Sequence, residues 1–217
     1  MHVLVVGASR GSGLAVVRAL TEAGHQVTAF ARSATRAELA GDDVTAIDGD
    51  VTDAEAVEKA VIGKDAVIVT LGVSDNALRV RLTRRASTAR HVRSVGTRQV
   101  VTAMQRHGVR RLVVQTAYGI GDSYARMPLA MKAFFALVLR PQIQDSERQE
   151  SLVRASGLDW TLIRPVNLTD DVDDAPAYVD NADGYRGMKV SRRQVARVAT
   201  GSLLDPGTLG ETLSVSG

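Results

Sequence analysis

The residues best suited to chemistry in this 217-residue chain stand at its start, in Val3-Leu-Val-Val-Gly7-Ala-Ser-Arg-Gly11-Ser-Gly13-Leu-Ala-Val-Val. An apolar run enters a turn with three glycines and leaves into a helical pattern. Glycine turns tightly and lets bare backbone approach an anion. The following helix offers free amides and the positive end of its dipole. After a strand at the head of an α/β chain, this is a dinucleotide diphosphate cradle with Gly7, Ser9, Arg10, Gly11, Ser12 and Gly13 as candidate contacts. The plain alternative is a tight turn that only packs.

A second group bears on which dinucleotide binds. An NAD site places an acid at the end of the second strand, about 20 residues on, to hold the ribose 2′-OH. Here that strand ends Ala29-Phe30-Ala31-Arg32-Ser33, without a carboxylate. Arg32 and Ser33, with Arg10 from the glycine turn, suit a 2′-phosphate instead. NADP(H) is expected over NAD(H), unless both arginines are merely solvated loop residues.

Other chemistries lack their residues. With no cysteine, the chain has no disulfide framework, thiolate metal site or cysteine nucleophile. His2, His25, His91 and His107 lack metal-ligand spacing. The aspartates from Asp170 to Asp183 do not form a calcium loop, and no Gly-x-Ser-x-Gly elbow occurs. No metal is expected.

Elements that would position these residues follow from the apolar pattern. Strands are predicted at Val3–Val6, Val27–Phe30, Val44–Ile47, Ala66–Thr70, Leu112–Thr116 and Trp160–Ile163. Each run is nearly continuous rather than alternating, as in strands buried on both faces of a parallel sheet. Helices are predicted at Leu14–Ala23, Asp53–Ala60, Ser94–His107 and Ser146–Ala155. Thr35-x-x-Glu38, Thr52-x-x-Glu55 and Ser191-x-x-Gln194 read as capping boxes, and Gly24, Gly108 and Gly157 as left-handed helix ends. Alternation of this kind implies right-handed crossovers and a doubly wound α/β sheet. The expected organisation is one domain over residues 1–217, with residues 166–190 forming a small cap at the strands' carboxyl edge.

With these motifs in view, the chain resembles the short-chain dehydrogenase/reductase superfamily, in its atypical NmrA-like and biliverdin-IXβ/flavin-reductase-like branch. The resemblance implies a Rossmann-type fold with a C-terminal substrate-side cap. Gly49-Asp50-Val51-Thr52 is similar to the family segment whose Asp and next residue contact adenine. Val69-Thr70-Leu71-Gly72 resembles the strand end laid along the cofactor, and Thr116 stands at the family's active-site Ser/Thr position. Ser156–Pro165 resembles "SGLDWTILRP", whose proline borders the nicotinamide, which implicates Pro165. Val190–Ala196 resembles "ISRADVA", with Gln194 where Asp is usual.

One departure has chemical content. The superfamily's Tyr-x-x-x-Lys pair, in which lysine tunes the tyrosine as a proton donor, is matched only by Tyr185–Lys189. That pair lies past the sixth strand, where Gly184 and Gly187 argue against a helix. An ordinary ketone needs a tuned acid; a flavin, quinone or tetrapyrrole delocalises an incoming hydride's charge. The resemblance and this gap together imply hydride transfer from NADPH to a conjugated small molecule. Thr116 would orient substrate or nicotinamide, or only satisfy backbone. Tyr118 would be a weak proton donor, or only a packed side chain. The alternative is an NmrA-like redox sensor that binds NADP without chemistry and acts through a protein partner.

Two segments remain open. Arg79, Arg81, Arg84, Arg85, Arg90 and Arg93 fall in a stretch without acids, read as a solvated face or as a flap attracting anions. Without interleaved aromatics, nucleic acid is not expected as a partner. Met127–Leu139 is apolar and suits a crevice cover, a homodimer contact or core. It is too short to span a membrane, and no leader pattern precedes Val3. A cytoplasmic protein without membrane contact is therefore the expectation.

Overall fold

The computed structural model describes residues 1–37, 39, 43–72, 91–126, 140–173 and 175–217. Arg79, Arg81, Arg84, Arg85 and Arg90, the segment Met127–Leu139, Glu38 and Asp174 lie outside the described residues.

The chain runs through β1 (His2–Val6), α1 (Gly11–Glu22), β2 (Gln26–Ala31), β3 (Val44–Asp48), α2 (Ala54–Val61) and β4 (Ala66–Val69). It continues with α3 (Val92–His107), β5 (Arg111–Gln115), α4 (Arg140–Arg154) and β6 (Asp159–Pro165). Then come β7 (Asn167–Thr169), β8 (Tyr178–Asp180), β9 (Lys189–Ser191), α5 (Arg192–Ser202) and β10 (Glu211–Ser216). The main sheet has eight strands in the order β3-β2-β1-β4-β5-β6-β10-β8, parallel except for β8. Successive strands lie to one side of β1 and then, from β4, to the other, which opens a crevice between β1 and β4 at their carboxyl ends.

The continuous apolar runs have the expected cause. Val3 and Val5 of β1 pack with Val17 and Leu20 of α1 and Val195 and Ala199 of α5. Leu4 and Val6 face the other way, toward Val57, Val100, Met104 and Val153 of α2, α3 and α4. Both faces are buried, so both side-chain sets are apolar. Gly24, Gly108 and Gly157 adopt φ of +77°, +71° and +67°, the left-handed endings expected of them.

Of the three capping boxes, Ser191–Gln194 forms with both bonds. At α2 the cap is Asp53, which accepts from the amides of Glu55 and Ala56. Thr52 is instead held by Asp50, to which its amide and hydroxyl donate. Thr35 donates to Asp48 in the same way and lies within a short 3-10 turn, Ala34–Arg36. In both cases a nearby carboxylate, a stronger acceptor, captures the threonine.

Beyond Val166, β7 and β9 pair in a separate two-stranded parallel ladder, whereas β10 and β8 extend the main sheet. Ser214 and Ser216 of β10 are fully buried, and such polar residues hid the strand from an apolar reading. Among the described residues, no helix is long and apolar enough to cross a membrane.

Candidate functional site

Beyond β1 the backbone turns sharply under α1. The amides of Gly7 and Ala8 both donate to the Phe30 carbonyl, at 2.9 and 3.3 Å. Gly7 has φ of +91°, and a Cβ there would stand 2.9 Å from the Thr70 carbonyl oxygen. At Gly13 a Cβ would come within 2.1 Å of the Gly7 carbonyl oxygen. Gly13 therefore lets the helix rest on the turn; it does not line the crevice. Helix α1 starts without a side-chain cap from Arg10, whereas α2 and α5 are capped by Asp53 and Ser191. Among the described residues, its first turn borders the cleft with no side-chain cap, an arrangement that receives an anion.

The cleft has a volume of about 620 Å³, in the range of cofactor and ligand pockets. From the glycine turn it is lined by Gly7, Ser9, Arg10, Gly11 and Ser12. Arg32 and Ser33 follow β2, Asp50 and Val51 follow β3, and Thr70, Leu71 and Gly72 follow β4. Thr116 closes the far side. Pro165 is not part of the lining: it ends β6 and its carbonyl accepts from the Tyr118 amide at 2.8 Å. At the β2–β3 end, hydrogen bonds from the Thr52 amide and hydroxyl hold the Asp50 carboxyl below its ordinary value, and the Arg32 charge adds to this. These residues fit a dinucleotide: a bare-backbone turn under an uncapped helix, with cationic side chains at the β2 end.

At the other end Thr116 donates its hydroxyl proton to Glu150 Oε1 at 2.8 Å. Glu150 is buried against Arg164, which donates through Nε at 3.0 Å and Nη2 at 2.6 Å. Arg164 also reaches Asp183 Oδ1 through Nη1 at 3.0 Å. Burial alone would lower the Arg164 guanidinium, but the bonds and charge of Glu150, then of Asp183, raise it overall. A carboxylate gripped by two charge-assisted bonds accepts rather than donates. Thr116 consequently meets the cleft as an acceptor.

The two expected catalytic side chains are not brought together. Tyr118 is 4% exposed, does not line the cleft, and donates its hydroxyl to the Asp183 carbonyl at 2.9 Å. Its ring meets that of Tyr185 edge-on, with centroids 5.3 Å apart. The hydroxyl expected to act as a weak proton donor thus bonds to backbone, outside the cleft lining. Tyr185 precedes β9 and Lys189 opens it, so the one Tyr-x-x-x-Lys match is not a helical pair.

Several lining residues were not read from the sequence as parts of this site, Gln115, Arg192, Leu168 and Arg93 among them. Gln115 donates from Nε2 to Ser12 Oγ at 3.1 Å, which ties β5 to the glycine turn, while its Oε1 is buried without a partner. Arg192, at the start of α5, lies across the crevice: its Nε would be 3.5 Å from a Cβ on Gly11, and its Nη1 donates to Asp170 at 2.6 Å. Leu168 of β7 and Arg93 of α3 also line the cleft. Only Arg93 carried a signal, as the last residue of the arginine run. Among the described residues, no cluster of three or more His, Asp or Glu could hold a metal ion.

Comparison with known proteins agrees with this geometry. A family model described as NAD(P)H-binding matches residues 7–206. A 2-alkyl-3-oxoalkanoate reductase of Stenotrophomonas maltophilia is 37% identical over 113 residues, covering 52% of this chain. The match covers 32% of that relative, so the chain spans about a third of its length. Among solved structures, a short-chain dehydrogenase/reductase of Veillonella parvula in complex with NADP superposes with a TM-score of 0.79 at 17% identity, over 100% of this chain and 94% of that one. An anaerobillin reductase of Escherichia coli superposes with a TM-score of 0.77 at 23% identity, over 100% and 97%. With its glycine turn, uncapped first helix and strand-end crevice inside the matched span, the chain belongs to the NAD(P)H-binding family.

Proposed function

We propose that the protein is an NADP(H)-dependent oxidoreductase that reduces a conjugated small molecule such as a flavin, a quinone or a tetrapyrrole-like acceptor. The observation that carries this reading is the pairing of a dinucleotide cradle with a Thr116 hydroxyl whose proton is already given to Glu150. The nicotinamide, when bound, supplies the hydride. The chain's own residues hold and orient: the α1 amides with Ser9, Gly11 and Ser12 take the diphosphate, and Arg32, Ser33 and Arg10 take the 2′-phosphate. Asp50 and Val51 flank the adenine, and the backbone of Thr70, Leu71 and Gly72 runs along the dinucleotide. Gly13 and Pro165 support that geometry from behind. Thr116 accepts a hydrogen bond from the nicotinamide carboxamide or the substrate. Residues 166–190, within a single 1–217 domain, cover the substrate side, where Leu168 enters the cleft.

Without a proton donor at Thr116, the acceptor must stabilise the charge it receives and take its proton from water. Reductases among the similar proteins, one of an oxoalkanoate, support the reaction class. The same missing donor favours a second reading, a non-catalytic NADP sensor acting through a protein partner. Steady-state NADPH oxidation against riboflavin, FMN, biliverdin and a quinone panel separates them. Turnover with at least one acceptor is expected; none, with NADPH bound, would leave the sensor.

A further inference from the structure

The described residues leave few buried polar atoms without a partner, and one of them is a cationic nitrogen on a cleft residue, Arg93 Nη1. Arg93 sits in the first turn of α3. Its amide is fixed by Asp145 Oδ2 at 3.1 Å, and its Nε donates to the Leu71 carbonyl at 3.2 Å. The guanidinium is thus tethered at one nitrogen beside the β4 exit. Asp145 does not complete it, since that carboxylate is taken by the amides of Arg93 and Ser94 and by the Ser94 hydroxyl. Burial lowers the Arg93 guanidinium more than the Asp145 charge raises it, the mark of a cation short of a counter-ion. An unpaired buried charge is costly, and a planar guanidinium is best completed by the two oxygens of a carboxylate.

Strand order says which anion this is. The diphosphate seat lies at β1–α1 and the 2′-phosphate residues follow β2, on one side of the crevice. Arg93 touches the loop after β4, and β4 neighbours β5, whose end carries Thr116. We propose that Arg93 anchors a carboxylate of the acceptor, which narrows the substrate class to conjugated acids; this rests on the reductase reading above.

The test uses the full chain saturated with NADP⁺ and two flat probes of equal shape, 2-naphthoate and neutral 2-naphthamide, followed by titration calorimetry. Naphthoate should bind wild type about tenfold or more tightly than the amide, the margin of a charge-assisted pair. Arg93→Gln should erase that preference in protein still saturated with NADP⁺, and Arg93→Lys should restore part of it. Equal binding of the two probes to wild type would overturn the proposal. So would a fall in NADP⁺ affinity in Arg93→Gln with the naphthoate preference intact, because Arg93 would then belong to the cofactor. Failure of the reductase reading shows separately, as absent NADPH oxidation while naphthoate still binds selectively.

Discussion

Two arginines with buried guanidinium nitrogens lie toward opposite edges of the sheet and are treated in opposite ways. Arg111, at the amino end of β5, donates to the Asp159 carbonyl at 2.6 Å, to Thr161 Oγ1 at 2.7 Å, to Thr208 Oγ1 at 3.1 Å and to the Ser202 carbonyl. Arg93, at the carboxyl edge, keeps a buried nitrogen unpaired, and Gln115 Oε1 beside the glycine turn is unpaired as well. At the amino edge each Arg111 nitrogen has a partner, and the side chain joins β5, β6 and the end of α5. The other leaves donors, acceptors and a helix start open. A satisfied polar network holds a fold together; open buried polar groups in a cleft await a ligand.

Breaking the comparison should separate stability from binding. The largest effect is expected at Gly13→Ala, whose Cβ would meet the Gly7 carbonyl at 2.1 Å. The clash should cost about 3 kcal/mol or more of stability and abolish dinucleotide binding; urea unfolding and calorimetry check both. Arg111→Met should cost about 2–3 kcal/mol by stranding carbonyl and hydroxyl acceptors, yet leave NADPH affinity intact in the folded protein. Arg32→Ala should do the reverse, weakening NADPH by about 1–3 kcal/mol with NADH and thermal stability scarcely changed. Equal losses for the two cofactors would show that Arg32 does not read the 2′-phosphate.

Smaller changes sharpen the contrast between helix starts. Asp53→Ala removes a true cap from α2 and should cost about 1 kcal/mol, measured by thermal unfolding. Arg10→Ala, at the uncapped start of α1, should cost little stability and appear in cofactor binding. The smallest effect concerns acid. The folded Asp50 carboxyl lies below its unfolded value because Thr52 bonds to it. Its contribution is therefore full above the unfolded value and fades as pH falls through the folded one. Asp50→Asn should flatten the acid limb of a stability–pH profile slightly.

The sequence made the glycine turn, the first six strands and the glycine helix ends legible because each is a local property of a few neighbouring residues. Thr116 was legible by its place after β5. Its meaning as an acceptor was not, because Glu150, Arg164 and Asp183 come from α4, β6 and the loop before β9. Arg192 was read only as part of a helix start, although the packing of α5 beside α1 carries it across the crevice. Strand β10 was missed because its buried serines are satisfied by distant partners, Arg186 and Asp183 among them. The surroundings of Tyr118 were not legible for the converse reason: no sequence feature shows that its hydroxyl meets the Asp183 carbonyl.

Everything functional here depends on a dinucleotide diphosphate seated on the start of α1. Titration calorimetry of the wild-type chain with NADPH and NADH tests this most directly. The account predicts saturable one-to-one binding, tighter for NADPH, and lost in Gly13→Ala. An absence of heat with both nucleotides, in reduced and oxidised forms alike, would contradict it.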